Sequence, residues 1–252
     1  MSEVLTTEVA PSPDITNIVI EDDIPVDNFR SEKQQRLLTE VLYTSGLSSD
    51  RARFFIAAAN VGLFHTVGES PLVPDVFLSL DVKMPDDWRE KKNRTYFIWE
   101  FGKPPEVVIE IVSNKEGNEL GTKLRDYARI GVWYYIVYDP LQLLGEQSLR
   151  VYQLVVGRYL ELETFWLDQV GLGVTLWEGE YEGKQDVWLR WCDRQGTVLS
   201  TGAERAIQAE SQLTEAQSQL AEAEQRAQQA QQRAEQLTAQ LRALGIEPDT
   251  LI

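Results

Sequence analysis

Apolar positions fall into two clear periods along this chain. Leu37, Leu38, Val41 and Leu42 recur at helical spacing behind Ser31, which predicts a helix with Ser31 as N-cap and Gly46 as its stop. Alternating or continuous apolar runs then predict strands at residues 53–58, 61–66, 75–82, 95–101 and 106–112. A helix is expected from about residue 119 to residue 130, ending at Gly131, and a strand at residues 133–138 closes on Asp139 and Pro140. Residues 149–156, 158–164, 174–177 and 187–192 read as further antiparallel strands joined by glycine-containing turns. This is the pattern of a mixed α/β domain that becomes rich in strands toward its end.

Both ends of the chain depart from that pattern. The first 28 residues mix Pro, Ser, Thr and acids without a period and read as a flexible lead-in. After residue 200 the composition turns to Ala, Gln and Glu, and apolar residues recur in steps of three and four from Leu213 through Leu220, Leu237 and Leu241 to Leu244. That is a heptad seam, and it predicts a coiled-coil helix and a homo-oligomer, with Gly245 and Pro248 as the stop. The expected organisation is a lead-in at 1–28, a domain at 29–200 and a coiled-coil segment with a short tail at 201–252.

Composition narrows the chemistry. The chain has 252 residues, 43% of them hydrophobic and 10% aromatic, enough to build one sizeable core. No stretch approaches the roughly 18 uninterrupted apolar residues of a membrane span, and no basic region precedes an apolar run at the N-terminus, so a cytoplasmic protein is expected. One cysteine, Cys192, excludes an internal disulfide, and one histidine, His65, argues against a zinc site or catalytic triad built on histidine. The net charge of −16 opposes nucleic-acid binding, yet only −6 of it falls to residues 31–199 once the acidic ends are set apart. Arg89, Lys91, Lys92 and Arg94 form a local basic cluster there, to be weighed against an ordinary solvated loop.

Three charged residues then call for a partner. In the strand EVVIEIV at residues 106–112, Glu110 shares a face with Val108 and Val112, and an unpaired buried carboxylate costs several kcal/mol. Asp75 opens the strand at 75–82 on its more polar face; if the two strands are neighbours, the carboxylates converge and suit a hard cation such as Mg²⁺ or Mn²⁺. On the helix that follows, Lys123 lies about 60° from the centre of the apolar stripe and can lean toward Glu110. Arg125 and Arg129 face away.

Pro74-Asp75, the run PPEVVIEIVS at 104–113 and the run KLRDYARIGVWYYIVYDP at 123–140 together resemble the Uma-two restriction endonuclease family of the PD-(D/E)XK nuclease superfamily. The resemblance implies a mixed sheet core flanked by helices, with Asp75 and Glu110 as metal ligands and catalytic residues, Lys123 as the catalytic cation, and DNA as substrate of a metal-dependent endonuclease. Two positions depart from the family pattern. A standard E-x-K element would place lysine at 112, where this chain has Val112, so the lysine comes from Lys123 or, less directly, Lys115. Glu119 stands where the family usually has aspartate, and the acid of the first helix is either Glu32 or Glu40. The alternative expectation is a catalytically inactive nuclease-fold scaffold that acts through its coiled coil.

Overall fold

The structure is a computed structural model, and it describes residues 13–14, 28–47, 54–114 and 118–243. Its helices are α1 (Phe29–Ser45), α2 (Ile98–Phe101), α3 (Leu124–Ile130) and α4 (Gly202–Ala243). The strands are β1 (Phe55–Ala59), β2 (Leu63–Phe64), β3 (Val76–Leu80), β4 (Tyr96–Phe97), β5 (Val107–Ile111), β6 (Tyr134–Tyr138), β7 (Leu149–Val155), β8 (Arg158–Glu161), β9 (Trp166–Leu167), β10 (Leu172–Tyr181) and β11 (Lys184–Cys192). The chain divides into two units between Thr201 and Gly202.

In the first unit, six strands form one sheet in the order β1-β3-β5-β6-β7-β8. Only β5 and β6 run parallel, and the other pairs are antiparallel. The parallel pair sits at the centre, where both faces are covered, which is why VVIEI and YYIVY are buried at every position. The fold is therefore a mixed α/β sheet core with flanking helices, as the residue pattern predicts.

One face of this sheet carries Val76, Leu78, Val107, Ile109 and Ile136 and packs against Leu38, Val41 and Leu42 of α1 and against Leu172, Val174, Leu189 and Trp191 of the β10–β11 hairpin. Polar clamps fasten the helix there. Gln34 donates to the Leu189 carbonyl at 2.8 Å and accepts from the Leu189 amide at 3.0 Å, while the Trp191 indole donates to the Leu38 carbonyl at 2.9 Å. On the opposite face Phe77, Val108, Val112, Tyr135 and Val137 meet Tyr127 of α3 and Tyr96 of β4. The parallel pair of β2 and β4 forms a small second layer on this side.

Three local expectations are corrected. Helix α1 starts earlier than expected, because Asn28 caps it: its side-chain oxygen accepts from the amides of Arg30 and Ser31, both at 3.0 Å, and Ser31 lies inside the helix. The run at 95–101 is a strand only at its start; Gly102, at φ 77°, closes a helical turn over Ile98–Phe101 that lays Phe101 flat on Tyr96. The run at 174–177 belongs to a ten-residue strand paired with β11 along nearly its whole length.

Below Gly202 the chain is one 42-residue helix with no buried residue, along which Leu213, Leu220 and Leu237 are exposed. Leu244, Gly245 and Pro248 of the predicted seam and stop lie outside the described residues. Among the described residues no helix is long and apolar enough to cross a membrane.

The clamp on α1 gives a direct test of stability. Gln34→Leu keeps the size of the side chain but leaves the buried amide and carbonyl of Leu189 unpaired, so it should lower unfolding stability by about 1–3 kcal/mol for each group. Urea denaturation of the wild type and variant measures the difference.

Candidate functional site

The site begins with the central strand. Residue 110 must point to one face of β5 by simple alternation, and both faces are covered, so Glu110 is buried, at 1% exposure. Val76 of β3 lies opposite Ile109, and Asp75 comes one residue before β3, next to the end of that ladder. The Asp75 carboxylate is fixed there twice, accepting from the Ile111 amide at 2.6 Å and from the Gln35 amide group of α1 at 3.0 Å. Asn60, in the left-handed region at φ 53°, holds Gln35 in turn by donating to its side-chain oxygen at 2.9 Å.

The third component arrives from the crossover between β5 and β6. Asn118, at φ 54°, turns the chain into a π-type turn over Glu119–Lys123 that runs directly into α3. Gly121 leaves room in this turn for the Asn118 side chain, which a Cβ there would force to move. The wide turn aims Lys123 at the sheet, and its ammonium lies 2.9 Å from one Glu110 oxygen and 3.5 Å from Glu119. One turn on, the Tyr127 hydroxyl donates to the other Glu110 oxygen at 2.7 Å.

Electrostatics follow from this burial. Desolvation, with a smaller contribution from the Asp75 charge, pushes the Glu110 carboxyl up to about 8, against the opposing pull of Lys123 and Tyr127. Burial works against the Lys123 ammonium, but Glu110, Glu119 and Asp75 outweigh it and hold its pKa above the ordinary lysine value. Tyr127 is driven well above the usual tyrosine range, first by burial and then by the Glu110 charge, so it remains a donor. Glu119 is 5% exposed, and one of its oxygens is buried without a hydrogen-bond partner.

Asp75, Glu110 and Lys123 are thus brought together, as the sequence predicts for their geometry. Val112 is a core residue, and Lys115 lies outside the described residues. From α1 it is Gln35 that bonds to Asp75, whereas Glu32 pairs with Arg36 and Glu40 accepts from Thr44. Gln35 carries one signal in the sequence, its helical phase, since it falls with the apolar Leu38 and Leu42 on the buried side of α1. His65 pairs with Glu69 at 2.8 Å, and Cys192 is a buried free thiol. In the basic cluster, Arg89 pairs with Asp87 and Lys92 with Glu90.

Among the described residues no group of three or more His, Cys, Asp and Glu side chains is arranged to enclose a metal ion. The donor set nonetheless fits a hard dication in part. Two carboxylates come together, and a buried Glu119 oxygen lacks a partner. The raised pKa of Glu110 has a pH signature. The folded carboxyl keeps its proton to about pH 8, whereas the unfolded one loses it near 4.5, so the folded state holds more protons between those values and stability falls as pH rises through that window. Glu110→Gln cannot ionise, so its melting temperature relative to the wild type should climb from pH 5 to pH 9. A constant difference across that range, measured by thermal denaturation, would show that Glu110 is not a buried titrating group.

No curated protein matches the chain. Among solved structures it is similar to one described as "a putative nuclease belonging to DUF820" from Anabaena variabilis ATCC 29413. The identity is 15%, the alignment covers 56% of this chain and 71% of that one, and the TM-score is 0.40. The family Uma2, described as "Putative restriction endonuclease", matches residues 15–176, well over half of the sequence and including every residue of the site. The chain belongs to the Uma2 family.

Proposed function

We propose that this protein is a metal-dependent endonuclease that hydrolyses DNA phosphodiester bonds, with Asp75 and Glu110 holding Mg²⁺ or Mn²⁺ and Lys123 acting beside them. The observation that carries the reading is the convergence of a buried glutamate, an aspartate from the adjoining strand and an ammonium 2.9 Å away, on a face where pure packing would call for apolar side chains. Membership in the Uma2 family supports it.

A dication bound here would lower the pKa of a coordinated water and offset negative charge on the phosphate. The chain's own groups set the conditions. Gln35 and the Ile111 amide fix Asp75 so that its carboxylate cannot swing away from Glu110. Tyr127 locks the Glu110 rotamer from behind. Glu110 must give up its proton to serve as a ligand, which Lys123 and Tyr127 favour by stabilising the anion. Lys123, about one-third exposed, can then pivot from Glu110 toward an incoming phosphate, where its charge matters most as negative charge builds on the phosphoryl oxygens. With two anchoring carboxylates, the rest of the cation's oxygen shell would come from water and phosphate, the usual arrangement for Mg²⁺.

In this reading residues 29–200 are the catalytic domain, 1–28 a lead-in and 201–252 an association segment. The exposed leucines of α4 support a homo-oligomer formed through the heptad seam.

Three measurements test these proposals. On supercoiled plasmid with Mg²⁺ or Mn²⁺, Lys123→Ala should cut cleavage by roughly a hundredfold while Mn²⁺ binding persists, whereas Glu110→Ala should remove both. Cleavage untouched by Glu110→Ala would end the assignment, and an inert protein without Mn²⁺ affinity would identify a scaffold. In calorimetry, wild-type Mn²⁺ affinity should rise with pH between about 6 and 8, with proton release, because the cation displaces the Glu110 proton. In light scattering the full chain should exceed its monomer mass, and Leu213→Lys with Leu220→Lys and Leu237→Lys should return it to that mass.

A further inference from the structure

Two residues beyond Asp75, Phe77 of β3 opens onto a cleft that the proposed chemistry does not use. The cleft has a volume of about 370 Å³, and its walls include Phe77, Met84, Trp88, Arg94, Tyr96 and Phe101. That lies within the span of about 300–1,000 Å³ common for sites that hold organic ligands. Flat rings dominate it. Tyr96 and Phe101 stack at 4.2 Å with 9° between their planes, Phe77 meets Tyr96 edge-on at 5.2 Å, and Trp88 at the mouth is 63% exposed. A tryptophan left in water forgoes the burial that stabilises most of its kind, which points to a partner for its ring.

Charge says what kind of partner. Residues 83–94 carry five bases, Lys83, Arg89, Lys91, Lys92 and Arg94, against three acids, so this loop is positive in a chain whose net charge is −16. Its ion pairs with Asp86, Asp87 and Glu90 are exposed, and such pairs contribute under about 1 kcal/mol, so they give way readily to a phosphate. An apolar protein helix would use the rings but not the positive rim. A nucleic-acid strand uses both, through base stacking on aromatic faces and phosphate contacts at the edge.

Distance ties the cleft to the site. Two residues along an extended chain span about 7 Å, and Phe77 shares the sheet face of Val108 and Tyr127, the side on which Tyr127 meets Glu110, so a base in the cleft would belong to a nucleotide next to the phosphate at Asp75 and Glu110. We propose that this cleft receives one unpaired nucleobase of the strand being cut, with the loop at 83–94 on the flanking phosphates, so that the substrate is single-stranded or locally opened DNA rather than intact duplex. This rests on the nuclease reading for the identity of the neighbouring phosphate.

The test measures binding apart from cutting. Fluorescence anisotropy in a chelating buffer compares a short labelled single strand, the same backbone made of abasic residues, and a duplex, for the wild-type full chain, Trp88→Ala and Trp88→Phe. The wild type should bind the base-bearing strand about tenfold or more tighter than the abasic strand, the scale of one lost base–aromatic stack, and tighter than the duplex. Trp88→Ala should erase that preference and Trp88→Phe restore most of it. Equal binding of base-bearing and abasic strands, a preference that survives Trp88→Ala, tighter binding of duplex, or no binding at all would each overturn the inference. Plasmid cleavage run in parallel keeps the two readings apart. Cutting that depends on Glu110 but shows no base preference removes the cleft and leaves the nuclease, whereas a Trp88-dependent preference without Glu110-dependent cutting does the reverse.

Discussion

A single buried carboxylate organises this fold. Glu110 stands at the centre of the sheet, where a valine would pack without cost, and every neighbour that tolerates it does so by donating a hydrogen bond or a charge: Lys123 at 2.9 Å, Tyr127 at 2.7 Å. Those donors come from the crossover that must join two parallel strands, so the same connection that makes the sheet mixed also delivers the ammonium. Removing either donor leaves a buried carboxyl oxygen without its hydrogen bond, a cost of about 1–3 kcal/mol. The arrangement is therefore constrained by stability as well as by chemistry.

The two faces of the sheet divide the labour. One is sealed by α1 and the β10–β11 hairpin, joined by the bonds to the Leu189 and Leu38 backbone and by ion pairs such as Arg30 with Asp186. The other carries the ionisable groups, the tyrosines around α3 and the open aromatic cleft. Asp75 bridges these regions, because it follows a turn where Gln35 from the sealed side can still reach it.

Much of this was legible in the residues themselves. The alternation in EVVIEIV forced Glu110 inward, and the stripe around Leu124 and Tyr127 put Lys123 at its margin, so their meeting followed from two periods. What escaped depended on contacts distant in sequence or on backbone detail. Asn28 outcompetes Ser31 as a cap because its side-chain oxygen reaches two amides, a matter of geometry rather than residue type. The turn at Ile98–Phe101 breaks a run of good strand formers because stacking of Phe101 on Tyr96 overrides local propensity. The phase of Gln35 marks it as buried, but its role rests on bonds to Asp75 and Asn60, which lie 40 and 25 positions away.

The clamp between Gln34 and Leu189 spans 155 positions of sequence. On a ribosome adding about 5–20 residues per second, the first helix therefore waits on the order of ten seconds for the strand that fastens it. Throughout that interval Leu38, Val41 and Leu42 lack the cover that β10 and β11 supply, and a copy interrupted inside the final hairpin would expose that oily flank. A nascent chain thus keeps part of this flank open until its last two strands are made, although they hold none of the charged groups that meet at Glu110.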